Sequence, residues 1–178
     1  MTDAELKIWI DGLPKPLFSS SVCIQQSAIH GQGLHAVRDI YIGEILVVDR
    51  GVEVDGTLIR RIVETLNYKN FLCIDWDRYL LDGPIDGGAY INHSCMPNVG
   101  LANDRTMVAI SEIKKDKEIF IDYSTFVSKA AWSMECGCRS RLCRKTISGG
   151  DHENPEFRER MGKWFSPYLK THWQIAVG

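Results

Sequence analysis

At 178 residues, the chain is long enough for one domain with tails and for a sizeable buried core. Hydrophobic residues make up 44% and charged residues 25%, which excludes a disordered chain, and a formal net charge of −2 provides no basic field of the kind that marks a nucleic-acid binder. No apolar stretch approaches the roughly 18 residues a membrane span needs, no signal-type segment opens the chain, and six cysteines are too few for a disulfide scaffold.

These features predict an intracellular protein in a reducing compartment, with no membrane and no direct nucleic-acid partner. Residues 1–20 read as a leader, because Pro14 and Pro16 break regular structure and Ser19, Ser20 and Ser21 form a polar hinge. Val22–Gln26 is a short strand, followed by the glycine turn His30, Gly31, Gln32, Gly33. Residues 34–37 and 44–48 are further strands, the second rich in Ile, Leu and Val. After Gly56, the spacing of Leu58, Ile59, Ile62, Val63 and Leu66 predicts an amphipathic helix with Arg60, Arg61 and Glu64 on its other face.

Residues 71–74 and 79–81 are short strands. Residues 98–102 and 106–110 flank Asn103, Asp104 and Arg105 as a hairpin, and residues 118–121 form another strand. From residue 154 to 172 the pattern turns aromatic and helical, with Pro155 at the first helical position. The expected architecture is mainly β with few helices: one helix in the body and one in the tail. Strands and helices do not alternate, so a doubly wound parallel sheet is not expected.

Cys136, Gly137, Cys138 and, four residues on, Cys143 place three thiols within eight residues. The intervening Arg139, Ser140, Arg141 and Leu142 cannot build an apolar pocket around them. Clustered thiolates repel unless a cation sits among them, and Zn²⁺ takes four sulfurs at about 2.3 Å in a tetrahedron. A fourth ligand must come from elsewhere, and Cys95, in the polar run Asn92, His93, Ser94, Cys95, is the candidate. Cys23 and Cys73 lie in apolar strands and read as small buried hydrophobes.

The run from Asn92 to Asn98 is dense in side-chain donors and acceptors, and taken alone it is either a binding segment or a polar turn ending at Pro97. The strand that closes on Asp122 and Tyr123 is equally uninformative alone, as is the glycine turn. In this order, glycine turn, Asn-His-Ser-Cys-x-Pro-Asn, Asp-Tyr and C-x-C-x4-C, they resemble the SET-domain protein-lysine methyltransferases over about residues 21–147. Gly31, Gly33 and the stretch Gly43, Glu44, Ile45, Leu46 also resemble that family's opening strands. No cysteine-rich segment of the pre-SET kind precedes them.

The resemblance implies a SET-domain fold, several small sheets around a C-terminal pseudoknot, in which the segment ending at Tyr123 threads a loop containing Asn92 and His93. It divides the chain into a leader (1–20), a SET domain (21–128), a post-SET zinc-binding loop (129–147) and a helical tail (148–178). S-adenosyl-L-methionine would be held by Gly31, Gln32, Gly33, Leu34, Tyr90, Asn92 and His93, and leave as S-adenosyl-L-homocysteine. Tyr123 would be catalytic, with Cys95, Cys136, Cys138 and Cys143 on a structural Zn²⁺. The partner would be a lysine-containing protein or peptide, histone among them. His93 reads as a structural hydrogen-bonding residue rather than a general base.

The chain departs from the family at several places. Ala89 and Tyr90 stand where many members have Arg-Phe, and Val48 and Asp49 where many have Glu-Tyr. Ile121 stands where Phe or Tyr helps limit the number of methyls, which predicts di- or trimethylation. Lys145 replaces a common glycine. The tail's Phe157, Trp164, Phe165, Tyr168 and Trp173 read as a helix packed on the domain, with a lid over the lysine channel as the sharper reading. The competing functions are a catalytically inactive SET module that binds an extended peptide, and a nucleic-acid binder built on Arg139, Arg141, Arg144 and Lys145.

Overall fold

The computed structural model describes residues 1–85, 91–129 and 131–176. The chain opens on α1 (Asp3–Asp11), a helix where the leader was expected to carry no element. Its start is a reciprocal cap: Glu5 N–H donates to Thr2 Oγ1 and Thr2 N–H to Glu5 Oε2. Leu6 and Ile10, one turn apart, sink into the main core, and Arg61 of the next helix reaches Asp3 and the Met1 carbonyl. With two buried residues in nine, the apolar stripe is too thin to stand out in the sequence.

Strands β1 (Leu17–Phe18), β2 (Val22–Gln26), β3 (Gln32–Ala36), β4 (Ile45–Val48) and β5 (Val52–Asp55) follow. Asp55 ends β5 and caps α2 (Gly56–Leu66) by accepting from Leu58 N–H. α2 is the helix predicted from its spacing, and it ends at Asn67 in the left-handed region. Then come β6 (Phe71–Asp75), β7 (Arg78–Leu81), β8 (Asn92–His93), β9 (Val99–Leu101), β10 (Thr106–Ala109), β11 (Phe120–Ile121), β12 (Ser133–Glu135) and β13 (Thr146–Ser148). The tail holds two helices, α3 (Pro155–Met161) and α4 (Pro167–Ala176), rather than one. Pro155 is at the start of α3, and Asn154 caps it. Gly162 and Pro167 break the run.

Among the described residues the strands form five small sheets. The largest has the order β1-β4-β10-β9 and another has β5-β7-β6, all antiparallel. β2 pairs with β3 and β12 with β13, also antiparallel, whereas β11 runs parallel to β8. One core lies between the sheets, α1 and α2, built from residues such as Leu34, Leu46, Ile62, Leu80 and Ile119. A smaller one, of Phe157, Met161, Phe165 and Leu169, seats the tail. No helix among the described residues is long and apolar enough to cross a membrane.

A candidate methyltransferase site at a strand crossing

The segment leading to Tyr123 is bonded on two sides. On one side Ala36 N–H donates to the Lys117 carbonyl and Ile119 N–H to that of Leu34. On the other, β11 lies along β8, Ser94 N–H donates to the Ile121 carbonyl at 3.0 Å, and Asn98 N–H to that of Phe120 at 3.1 Å. Asn98 completes the seam with its side chain: Nδ2 donates to the Glu118 carbonyl and Oδ1 accepts from Phe120 N–H. A carboxamide, with its N–H donors and its carbonyl acceptor, can both give and take like a strand neighbour. This seam, where the resemblance expects the pseudoknot, gathers the glycine turn, the Asn-His motif and Tyr123 from distant parts of the sequence.

Tyr123 donates its hydroxyl to the Ile91 carbonyl at 3.0 Å and its N–H to His93 Nδ1 at 3.2 Å. Its ring centroid lies 5.3 Å from that of His93 and 5.8 Å from that of Phe126. Burial pushes the phenol up to about 12, so it stays protonated near neutral pH. Accepting at Nδ1 leaves the hydrogen of His93 on Nε2, which faces Cys95 Sγ at 3.4 Å. Burial, helped by Arg144, pulls the imidazole down to about 4 and keeps it neutral. The structure thus gives His93 a bridging role between the tyrosine and a cysteine.

Asn92 Nδ2 faces three acceptors: the carbonyls of His30 and Gln32, each at 3.1 Å, and Glu118 Oε1 at 2.9 Å. Gly33 permits this meeting, since a Cβ there would run into the Glu118 carboxylate and come within 3.1 Å of Asn92 Nδ2. Gly31 differs: it takes the left-handed φ of +53° at the tip of the β2–β3 hairpin, with open space around it. Leu34 puts its side chain in the core, so only its backbone is available to a ligand. Gln32 Oε1 is buried with no hydrogen-bond partner among the described residues, an acceptor suited to the amino group of an amino-acid-like ligand. Tyr90 lies outside the described residues.

Glu118 was missed by the sequence reading as a site residue. Its carboxylate also lies 3.9 Å from His35 Nε2, and its side chain is 8% exposed. Glu118 ends the charged run Lys114, Lys115, Asp116, Lys117, so nothing in the sequence set it apart from a solvated turn.

The four cysteines do come together. The ligand atoms of Cys95, Cys136, Cys138 and Cys143 all lie within 4.8 Å of one another, and Cys95 and Cys136 are 3.7 Å apart. Tetrahedral sulfurs at Zn–S bond lengths stand about 3.8 Å apart, so the set fits a zinc ion. The β12–β13 hairpin brackets the loop, and Cys136 N–H donates to the Lys145 carbonyl. Burial pushes the Cys95 and Cys136 thiols up, a cost that a bound cation reverses. Lys145 has φ +67°, the left-handed region in which glycine is unstrained, which accounts for glycine being common there in the family.

Asp49 is buried beside Asp82, and the two carboxyl groups interact. Burial first, and Asp82 second, push its carboxyl up to about 8. Ile121 is buried in the main core.

A family model described as the SET domain matches residues 31–124, more than half of the chain, and that span contains Gly33, Asn92, Cys95 and Tyr123. Histone-lysine N-methyltransferase 2B of Homo sapiens is 27% identical over 148 residues, covering 75% of this chain and 5% of its own length. Histone-lysine N-methyltransferase trithorax of Drosophila virilis is 28% identical over 147 residues, with 75% and 4% covered. Histone-lysine N-methyltransferase ASHH2 of Arabidopsis thaliana is 29% identical over 143 residues, with 72% and 8% covered. The chain therefore spans less than a tenth of the length of these relatives. Among solved structures, that of KRYPTONITE in complex with mCHG DNA and SAH aligns with a TM-score of 0.50 and 20% identity, covering 70% of this chain and 28% of that one. The match of sheets and helices with that structure is one of fold. With the family model spanning the glycine turn, the Asn-His motif and the tyrosine that the seam gathers, this chain belongs to the SET-domain family.

Proposed function

We propose that this SET domain transfers a methyl group from S-adenosyl-L-methionine to the side-chain amine of a lysine in a protein substrate. The observation that carries the reading is Tyr123, held by Ile91 and His93 at the seam that also seats Asn92 and Gly33.

When bound, the cofactor would supply a methyl on a sulfonium for the lysine nitrogen, the carbon–sulfur electron pair going to sulfur so that S-adenosyl-L-homocysteine is the leaving product. Gly31, Gln32, Gly33, Leu34, Asn92 and His93 are the residues we assign to holding it, together with Tyr90. Gln32 Oε1 and the Asn92–Glu118 pair supply polar partners for its amino-acid end. The lysine must arrive neutral, against a free pKa of about 10.4, and must lose its proton to water first. An apolar, desolvated site favours the neutral amine. Tyr123, protonated and already donating to Ile91, keeps oxygen lone pairs free to accept an amine N–H and aim the nitrogen. Orientation and fixed dipoles then supply the acceleration, not a strong base. Cys95, Cys136, Cys138 and Cys143 would hold Zn²⁺ in a structural role that ties the 136–144 loop to the seam.

We further assign residues 21–128 to the SET domain, 129–147 to a post-SET loop and 148–178 to a tail. The relatives' names make histones the first substrates to try. Incubation with labelled S-adenosyl-L-methionine and a panel of histones and total cell protein tests the reading. Label recovered on lysine supports it. Peptide binding without cofactor binding or label would instead identify a catalytically inactive peptide-binding module. Ile121 predicts products beyond monomethyl-lysine, and mass spectra that stop at one methyl would contradict that.

A further inference from the structure

Arg144 follows the cysteine loop, yet it is turned inward. Its Nη2 lies 2.7 Å from Asp122 Oδ1 and 3.3 Å from Ser124 Oγ, and its Nε lies 3.2 Å from Asp151 Oδ2. Its guanidinium carbon stands 4.5 Å from the centre of the Phe157 ring in α3. Its backbone N–H donates to Cys95 Sγ at 3.4 Å. Asp122 and Ser124, both 0% exposed, are the two chain neighbours of Tyr123.

Burying a guanidinium with carboxylates costs desolvation that apolar packing would avoid, so the arrangement is weak as a stabilising device. Geometry is where an arginine differs: its planar fork fixes two partners in defined directions. Here one nitrogen of the fork, Nη2, meets both sides of one residue, while Nε faces Asp151 as an ion pair. Asp122 Oδ1 also accepts from Ser124 N–H, closing the short turn on which Tyr123 begins, and Asp151 Oδ2 accepts from Ser124 Oγ. The turn closes on its own bonds and is braced from outside by one side chain, which belongs to the cysteine loop and packs on Phe157 of α3.

We propose that Arg144 is a positioning residue for Tyr123, one that makes the tyrosine's alignment depend on the cysteine loop and on the tail. The inference rests on the reading of Tyr123 as the catalytic residue. Misplacing a reacting group by about 1 Å costs about 100-fold in rate. Arg144→Ala should therefore lower kcat by about 10- to 100-fold, while changing the dissociation constant for S-adenosyl-L-homocysteine less than about threefold. Added methylguanidinium, at concentrations well below those that unfold the protein, should restore part of kcat in Arg144→Ala and none in Tyr123→Phe. Arg144→Lys, which keeps the charge but loses the fork, should fall between.

The measurements are kcat and KM, cofactor affinity by calorimetry, and zinc content, on wild type and variants together. A kcat equal to wild type, or a loss of zinc and cofactor binding in step with kcat, overturns the inference. If Arg144→Ala does not fold, Asp151→Asn carries the test: about threefold lower kcat with unchanged cofactor affinity supports the inference, and unchanged kcat overturns it. If wild type itself transfers no label to any lysine, the reading of Tyr123 fails, and the inference fails with it. Transfer by wild type with equal transfer by the variants sinks the inference alone.

Discussion

Gly33 and Glu118 show how a single position governs the site. A side chain at residue 33 has to displace the Glu118 carboxylate and with it Asn92. Gly33→Ala is expected to destabilise the fold by about 1–3 kcal/mol, the usual cost of overpacking. It should also weaken S-adenosyl-L-homocysteine binding at least tenfold, measured by calorimetry on the folded fraction. Asp49 gives a prediction of pH dependence. Its folded carboxyl titrates at about 8, while an unfolded aspartate titrates near 3.9. Between those values the folded state binds the extra proton, so this group's contribution to stability is complete below about pH 4 and is lost as pH rises through about 8. Asp49→Asn should flatten that slope and raise the unfolding midpoint at pH 8–9, by about 1–3 kcal/mol in stability. An unchanged slope in thermal unfolding from pH 5 to 9 would show that the pair with Asp82 does not titrate this way.

Among the elements, the cysteine hairpin and the tail carry the predictions. Lys145 sits at φ +67°, where an L side chain costs about 1–2 kcal/mol and where glycine costs nothing in the folded state. Lys145→Gly should stabilise the protein by about 0.5–1 kcal/mol once the freer unfolded chain is discounted. A lower melting temperature would contradict this. The tail is a packed element: Ser166 N–H donates to the Thr125 carbonyl, and Tyr168 donates its hydroxyl to that of Phe126 at 2.6 Å. Tyr168→Phe strips that buried carbonyl of its donor and should cost about 1–3 kcal/mol in denaturant unfolding. Elements were legible in the sequence where their pattern was strong. α2 has a clean helical stripe, and the β9–β10 hairpin has its polar turn. α1 escaped because two buried residues in nine leave almost no period, and β12 and β13 because three residues flanking cysteines leave no room for one.

For the molecule as a whole, the site exists only where four separated segments meet: 31–34, 92–98, 118–124 and 136–144. The motifs in those segments were legible because each is dense in side chains with a restricted set of uses: glycines, amides, thiols. Their meeting was expected only from resemblance, since no periodicity encodes a parallel pairing of two-residue strands. Glu118 and Arg144 stayed hidden for a related reason. A charged residue reads as surface in one dimension, and only the fold turns it inward to a carboxamide or a carboxylate. Arg144 is turned inward to Asp122, whereas Arg139 and Arg141 in the same loop are exposed. On the proposed zinc assignment, a chelator should lower the melting temperature and loosen residues 136–144, read as faster amide exchange there and at Tyr123.

The most direct test compares wild type with Tyr123→Phe for methyl transfer and cofactor affinity in the same samples. The account predicts label on a substrate lysine with wild type, at least about 100-fold less with the variant, and S-adenosyl-L-homocysteine binding alike in both. Equal transfer by the two proteins would contradict it, because the tyrosine at the seam would then have no part in the chemistry.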